Sequence, residues 1–363
     1  MLSQLTIEHF RAFRRLSVPS LGAVNLVVGR NNTGKTTLLE AAYLQSLQNL
    51  EERYSAVGDL LDMHDEVDLH RPAFRVEALY HGRQPSTGDR ISISSSDSRP
   101  LSIQFGERTP GSKLWIERSK QIEEWLKSLD RRSPIPSQLL RDMVVSLIVE
   151  GDSEESSLPE DQTRAAVLVR AGGLDEEELA SWWDAVVTTD AEDHVLACMQ
   201  ILVPTVRRIA PVATNILRAH GLVLSRTAPR RFVLRLEGEP QQVPLKSLGD
   251  GVARMFEFAL ALERARNSQL LLLDEVENGI HHQSLPDLWR FLIKAACTSK
   301  VQVIATTHSW DCIRGFHEAM KSLPDADGRL IRLERAQKNE DLRAVVYDRD
   351  ELHSAIEHEI EVR

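Results

Sequence analysis

The chain has 363 residues, enough for one large domain or two around a sizeable core. Its 42% hydrophobic and 27% charged content is that of a globular protein, and a net charge of −10 excludes a polycation built throughout for nucleic acid. No apolar run approaches the ~18–20 residues of a membrane span, the N-terminus lacks a charged-then-apolar leader pattern, and Cys198, Cys297 and Cys312 suggest neither a metal-spaced pair nor a disulfide framework, so the expected compartment is the cytoplasm.

In chain order, Leu5–Phe10 alternates apolar and polar residues as a half-buried strand does, and residues 24–28 read as a strand ending at Gly29. Residues 36–47 have the pattern of a helix. The stretches 76–80, 91–95 and 101–105 read as short strands separated by Gly, Pro, Asp and Ser, which predicts a small antiparallel sheet. From about 120 to 203 the pattern turns helical, with Ile122, Trp125, Leu126 and Leu129 on one face. The polar segment 151–161 and the turn Ala171-Gly-Gly interrupt it. Residues 231–236 then predict a strand, 252–267 a helix, Leu270–Leu273 a buried strand, 285–297 a helix and 301–306 another strand. This order predicts an α/β core split between the two ends of the sequence, with a mostly helical insertion between them.

Charge is uneven along the chain. Residues 206–235 hold seven arginines (Arg207, Arg208, Arg218, Arg226, Arg230, Arg231 and Arg235) and no acid, while the stretches around 150–161 and 175–178 are acidic. A basic strip of this kind suits phosphates as well as it suits a solvated face paired with acids elsewhere.

Residues 29–36, Gly-Arg-Asn-Asn-Thr-Gly-Lys-Thr, match the phosphate-loop pattern in full, with a strand before and a helix after. Gly29 and Gly34 let the backbone curl so that its N–H groups face phosphates at the positive end of the helix, with Asn31, Asn32 and Thr37 alongside. Lys35 supplies a point charge to the β- and γ-phosphates of ATP, and Thr36 offers a hydroxyl to Mg2+. A chance glycine-rich turn is the bland alternative, and the flanking strand and helix weigh against it.

Leu270–Leu273 runs into Asp274 and Glu275. Asp274 is expected in the Mg2+ shell, and Glu275 is expected to orient or deprotonate the attacking water. Thirty-four residues beyond Asp274, the strand 301–306 leads to His308, placed to hydrogen-bond a γ-phosphate. Twenty-seven residues before Asp274, Ser247-Leu-Gly-Asp-Gly251 opens a helix. Ser247 with Gly249 and Gly251 at a helix start makes a second anion site. One complete cradle is already present, so the second is expected to close over the γ-phosphate held by another copy, making a composite site across a twofold dimer.

In this order the motifs resemble the ABC-type ATPases of the SMC and RecF kind, and most closely the OLD-like ATPases, over roughly 1–110 and 205–335. The resemblance implies an α/β, ABC-type P-loop ATPase head with a mixed sheet, flanking helices and a small antiparallel sheet. Residues 1–118 would be its N-terminal half, 119–203 a mainly helical insertion for dimer or partner contact, and 204–363 its C-terminal half. It puts 247–251 in the place of the ABC signature, makes Glu277-Asn-Gly-Ile-His281 the dimer-contacting loop and His308 the switch histidine. Arg11, in Phe10-Arg-Ala-Phe-Arg14, would approach the nucleotide. The signature departs from the Leu-Ser-Gly-Gly-Gln of transporters, and no glutamine is assigned to the Mg2+-sensing position.

Many OLD-like proteins carry a C-terminal TOPRIM nuclease domain. Here 55 residues follow His308, so Asp348 and Asp350 read as a turn and helix start, and the chain as an ATPase subunit without that domain. By the resemblance, such subunits dimerise or oligomerise around ATP, act with a separate effector such as a TOPRIM-like nuclease, and take part in defence against phages. The other readings are RecF-like action directly on DNA and an ATP-dependent scaffold in which hydrolysis is secondary. Trp182 and Trp183 are expected in the insertion's own small core, with a role as partner anchors as the alternative.

Overall fold

The computed structural model describes residues 1–47, 50–66, 75–86, 88–96, 98–105, 147–150, 165–213, 230–336 and 341–358. The predicted helical face of Ile122, Trp125, Leu126 and Leu129 lies outside them.

Two apolar segments, β3 (Val24–Gly29) and β11 (Leu270–Leu273), are buried along their whole length, as strands covered on both faces must be. They belong to a six-stranded mixed sheet. β3 pairs in parallel with β12 (Gln302–Thr306) and with β13 (Gly328–Arg335), and β12 pairs in parallel with β11. β7 (Val167–Val169) extends the sheet beyond β11, and β14 (Leu342–Tyr347) closes the other edge antiparallel to β13. Alternate side chains serve opposite cores. Leu26, Val28, Leu271, Leu273 and Val303 face one, and Val27, Leu270, Leu272 and Ile304 the other.

The first core is packed by α5 (Asp250–Arg264), α6 (Leu285–Ser299) and α7 (Trp310–Ser322). The second is packed by α1 (Lys35–Ser46), α2 (Leu50–Met63) and an antiparallel sheet of order β2-β1-β4-β5-β6. Its strands are β1 (Leu5–Phe10), β2 (Phe13–Val18), β4 (Arg90–Ser95), β5 (Ser98–Phe105) and β6 (Leu147–Glu150). A third sheet, β8 (Val206–Ala213), β9 (Arg230–Leu236) and β10 (Val243–Pro244), feeds into α5. α8 (Arg349–Glu357) opens on a capping box in which the Asp348 carboxylate accepts the Glu351 N–H, so Asp348 is the turn residue the sequence predicts. Among the described residues, no helix is long and apolar enough to cross a membrane.

Three expectations change. Residues 76–80, predicted as a strand, form a 3-10 turn over Val76–Leu79, and Tyr80 makes a single bridge to Phe10. Val76, Ala78 and Leu79 are buried, a spacing that a tight turn satisfies as well as a strand does. The stretch 119–203 contributes the expected helices α3 (Glu176–Val186) and α4 (Asp190–Gln200), yet it also supplies β6 and β7 to the two larger sheets. β7 is a short apolar run that takes up the ladder groups β11 would otherwise leave unpaired. Trp183 belongs to no separate core. It packs edge-on against Phe232 of β9 at 5.9 Å and against Phe256 of α5 at 5.7 Å, tying α3 to the main head.

Candidate active site

β3, β11 and β12 run parallel and end side by side, so the segments that follow them converge. After Gly29 the chain curls through residues 30–34 into α1. Gly34 holds φ +83 at the start of that helix, and a Cβ there would lie 2.6 Å from the Phe13 ring. Only glycine fits both the backbone and this close approach. Asn32 takes φ +62, which asparagine tolerates, and the Thr33 hydroxyl braces the loop by donating to the Arg30 carbonyl at 2.8 Å. Asn31 and Asn32 are exposed, and Thr36 and Thr37 are half-buried in the first turn of α1.

Lys35 Nζ folds back on the loop and donates to the carbonyls of Gly29 at 2.9 Å and Arg30 at 3.2 Å. Burial lowers its pKa, opposed by the charges of Glu275, Asp274 and Glu277. The first turn of α1 carries no acidic residue, so the N–H groups and the ammonium together form a positive cradle for a polyphosphate.

Asp274 faces that cradle. Its carboxylate accepts the Thr36 hydroxyl at 3.1 Å and the Thr306 hydroxyl at 2.5 Å. Burial raises its pKa, against the two hydroxyl bonds. A carboxylate beside a hydroxyl gives hard oxygen donors that fit Mg2+, which takes one or two protein ligands and completes its shell with phosphate oxygens and water.

Glu275 sits at φ +46, a backbone that costs about 1–3 kcal/mol for a non-glycine residue. Its N–H donates to Thr306 Oγ1 at 2.9 Å, and the next N–H, of Val276, to the Thr306 carbonyl at 3.0 Å. Asn278 Nδ2 donates to the Glu275 carboxylate at 2.7 Å. Thr306 thus fixes the backbone of Glu275 and Asn278 its carboxylate, which can orient or deprotonate a water next to a bound γ-phosphate. His308 is half-exposed at the same mouth. Its Nδ1 lies 3.5 Å from Glu277 and 3.6 Å from Glu275, and its backbone N–H donates to Glu277 at 3.1 Å.

The remaining predicted residues lie elsewhere. Ser247 is in the 3-10 turn Leu245–Leu248, and α5 begins at Asp250, two residues before the predicted start. Ser247, Gly249 and Asp250 are exposed, and Gly251 borders Gly279 and Ile280. Among the described residues, no hydrogen bond or ion pair joins 247–251 to the phosphate loop of the same chain. Arg11, expected to approach the nucleotide, turns instead into the gap between α1 and α2. Its Nε lies 3.1 Å from Glu40, and its Nη2 donates to the Leu60 carbonyl at 3.1 Å. The reason is Glu40, a carboxylate only 1% exposed that needs counter-charge; His64 Nε2 meets its other oxygen at 2.5 Å. Thr306 and Glu40 go unread in the sequence, and Asn278 is read only as part of the 277–281 dimer-contacting loop. Thr306 carries a signal as the last residue of the strand leading to His308, and Asn278 as a member of the loop after the paired carboxylates; Glu40 carries none.

The chain matches, over residues 146–311, the family model described as "AAA domain, putative AbiEii toxin, Type IV TA system". It is 19% identical over 337 residues to the "ATP/GTP phosphatase" of Helicobacter pylori, covering 86% of each chain. It is 30% identical over 112 residues to the "DNA replication and repair protein RecF" of Limosilactobacillus fermentum, covering 29% of each. Among solved structures, the SMC head domain from Thermotoga maritima aligns with 96% of this chain and 99% of its own at 13% identity and a TM-score of 0.46. An SMC head bound to the C-winged helix domain of ScpA aligns with 98% and 99% at 12% identity and a TM-score of 0.49. In motif order and in these sequence matches the chain is similar to P-loop ATPases of the ABC type.

Proposed function

We propose that this chain is a Mg2+-dependent ATPase of the ABC type that works as a dimer closing around ATP. One copy holds the nucleotide on residues 29–37, with Lys35 on the β- and γ-phosphates and Thr36 and Asp274 on the cation. Glu275 activates the water, and His308 hydrogen-bonds the γ-phosphate. Ser247, Gly249 and Gly251 of a second copy complete the site, and the closure drives a separate effector.

The observation that carries this reading is the contact between Thr36 and Asp274, 238 residues apart, with Glu275 fixed one residue further on. The cation, when bound, would neutralise charge developing on the phosphoryl oxygens. Lys35 exchanges the carbonyls of Gly29 and Arg30 for phosphate oxygens, and Thr306 and Asn278 keep Glu275 aimed at the water. The exposure of Ser247, Gly249 and Asp250, with Gly251 next to the 279–280 loop, supports completion by another copy. The description of the matched family model names a "putative AbiEii toxin" of a "Type IV TA system", which supports action together with a second protein component.

Glu275→Gln tests the reading through phosphate release and solution mass. Hydrolysis should fall by at least about a hundredfold, while ATP with Mg2+ shifts the mass to a stable dimer. Wild-type hydrolysis by this variant, or an unchanged mass with ATP, sinks it.

A second reading, direct action on DNA, is favoured by one face of the third sheet. Arg208 and Arg235 are cross-strand partners, and Arg231 lies on the same face of β9. Arg207 and Arg230 pair with Glu237 and Asp184. Among the described residues no carboxylate pairs with Arg208, Arg231 or Arg235. Like charges placed directly opposite are unfavourable without an anion to share. Duplex binding that weakens steeply with salt and is lost in Arg235→Glu supports this reading, and no binding at low salt removes it.

A further inference from the structure

Four separate bonds converge on residues 169–174, the end of β7 and the turn behind it. The Asp274 N–H donates to the Val169 carbonyl at 2.9 Å. Arg254 Nη2 donates to the Arg170 carbonyl at 3.0 Å. Asn278 Nδ2 donates to the Ala171 carbonyl at 3.3 Å, and the Leu174 N–H donates to Glu257 at 3.4 Å. Two of these partners, Asp274 and Asn278, belong to the water-activating side of the site. The other two, Arg254 and Glu257, are on α5, one turn or two beyond Gly251.

The α5 end of this arrangement is tight. Arg254 is 6% exposed, lies over the Phe258 ring at 4.8 Å and pairs with Glu257 at 2.8 Å. Gly173 passes so close that a Cβ would sit 2.5 Å from Arg254 Nη1 and 2.7 Å from Glu257 Oε2, and its φ is +80. The Glu275 end is equally specific, since one amide group splits its donors between the Glu275 carboxylate and the Ala171 carbonyl. A buried arginine ordinarily needs one carboxylate; this one spends a second nitrogen on a backbone carbonyl of the strap.

We infer that Asn278 is a positioning residue for Glu275, and that residues 169–174 transmit the position of α5, and hence of 247–251, to that carboxylate. This rests on the reading of Glu275 as the water-activating group and of 247–251 as the segment that closes over the other copy's nucleotide. Each subunit then aims its own Glu275 according to whether its own signature segment is engaged, which couples the two ATP sites of the dimer. An aiming error of about 1 Å suffices for a large loss of rate without loss of binding.

The test uses the full chain with ATP and Mg2+, comparing steady-state hydrolysis with equilibrium ATP binding. Asn278→Asp is nearly isosteric but cannot donate. It should lower kcat by roughly ten- to a hundredfold while ATP affinity stays within about twofold. Gly173→Ala should lower kcat in the same direction, and the double variant should lose less than the product of the two single losses, because both act through one strap. Thermal unfolding identifies folded protein, and Asn278→Ser serves as a second donor-shortened variant should Asn278→Asp fail to fold. Wild-type kcat in the Asn278 variants, with Glu275→Gln inactive, overturns the positioning role alone. Fully multiplicative losses overturn the transmission through 169–174. Wild-type hydrolysis by Glu275→Gln overturns the reading on which both stand.

Discussion

Asp274 is held where an ionised carboxylate is costly in the empty protein. Its folded pKa lies above the unfolded value of 3.8, with burial as the chief cause. Between those two values the folded chain binds more protons than the unfolded one, so stability falls as pH rises through the window. The full cost is present above the folded pKa. Asp274→Asn removes that cost and keeps an acceptor for the Thr306 hydroxyl. It should stabilise the protein by about 1 kcal/mol at pH values above that folded pKa and abolish Mg2+-dependent hydrolysis. Thermal unfolding with and without ATP and Mg2+ checks both halves; a lower melting temperature counts against the account. The same residue illustrates what the sequence makes legible at this scale. Lys35, Thr36, Asp274 and Glu275 are readable because loop and strand fix their spacing. The roles of Thr306 and Asn278 are not, because Thr306 acts on Asp274, 32 residues away, and Asn278 is held by the Ala171 carbonyl, 107 residues away.

At the scale of elements, the fold is most legible where the burial pattern is unambiguous. β3 and β11 read directly as continuous apolar runs, since both faces are covered. β8 does not read so, because Arg207-Arg208 opens it and a bulge shifts its register between Val206 and Arg208. β7 is too short to announce itself, yet it carries the strap behind Asp274. Glu40 is hidden for a different reason: it interrupts the apolar stretch of α1 with a charge that only tertiary partners explain. Arg11, at the β1–β2 hairpin, and His64, just beyond α2, meet that carboxylate, so the three elements are pinned at one buried point. Arg11→Met should therefore destabilise the protein by about 1–3 kcal/mol, the cost of leaving one oxygen of a buried carboxylate without its counter-charge while His64 keeps the other. Pairing it with Glu40→Gln should recover part of the loss, a non-additivity that denaturant unfolding of the three variants measures. Equal, independent losses in the singles and the double contradict the pairing.

For the whole molecule, the separation of 247–251 from the phosphate loop has a consequence that one chain cannot express. In the proposed symmetric dimer each composite site would take its loop from one copy and residues 247–251 from the other. Lys35→Ala breaks the loop in both sites, and Ser247→Arg puts bulk and charge on the exposed segment in both sites. Each variant alone should be inactive, and each should still fold, since Ser247 is exposed and Lys35 bonds only its own loop. Mixing the two creates heterodimers in which one site joins the intact loop of the Ser247→Arg chain to the intact segment of the Lys35→Ala chain. The other site carries both defects. Hydrolysis should reappear on mixing, rise with the fraction of heterodimer, and exceed the sum of the separate activities. A site formed within a single chain offers no such rescue, because neither variant contains a complete set. Phosphate release across a mixing series, with heterodimer content read from solution mass, decides between them: heterodimers that form and remain inactive rule out the composite site.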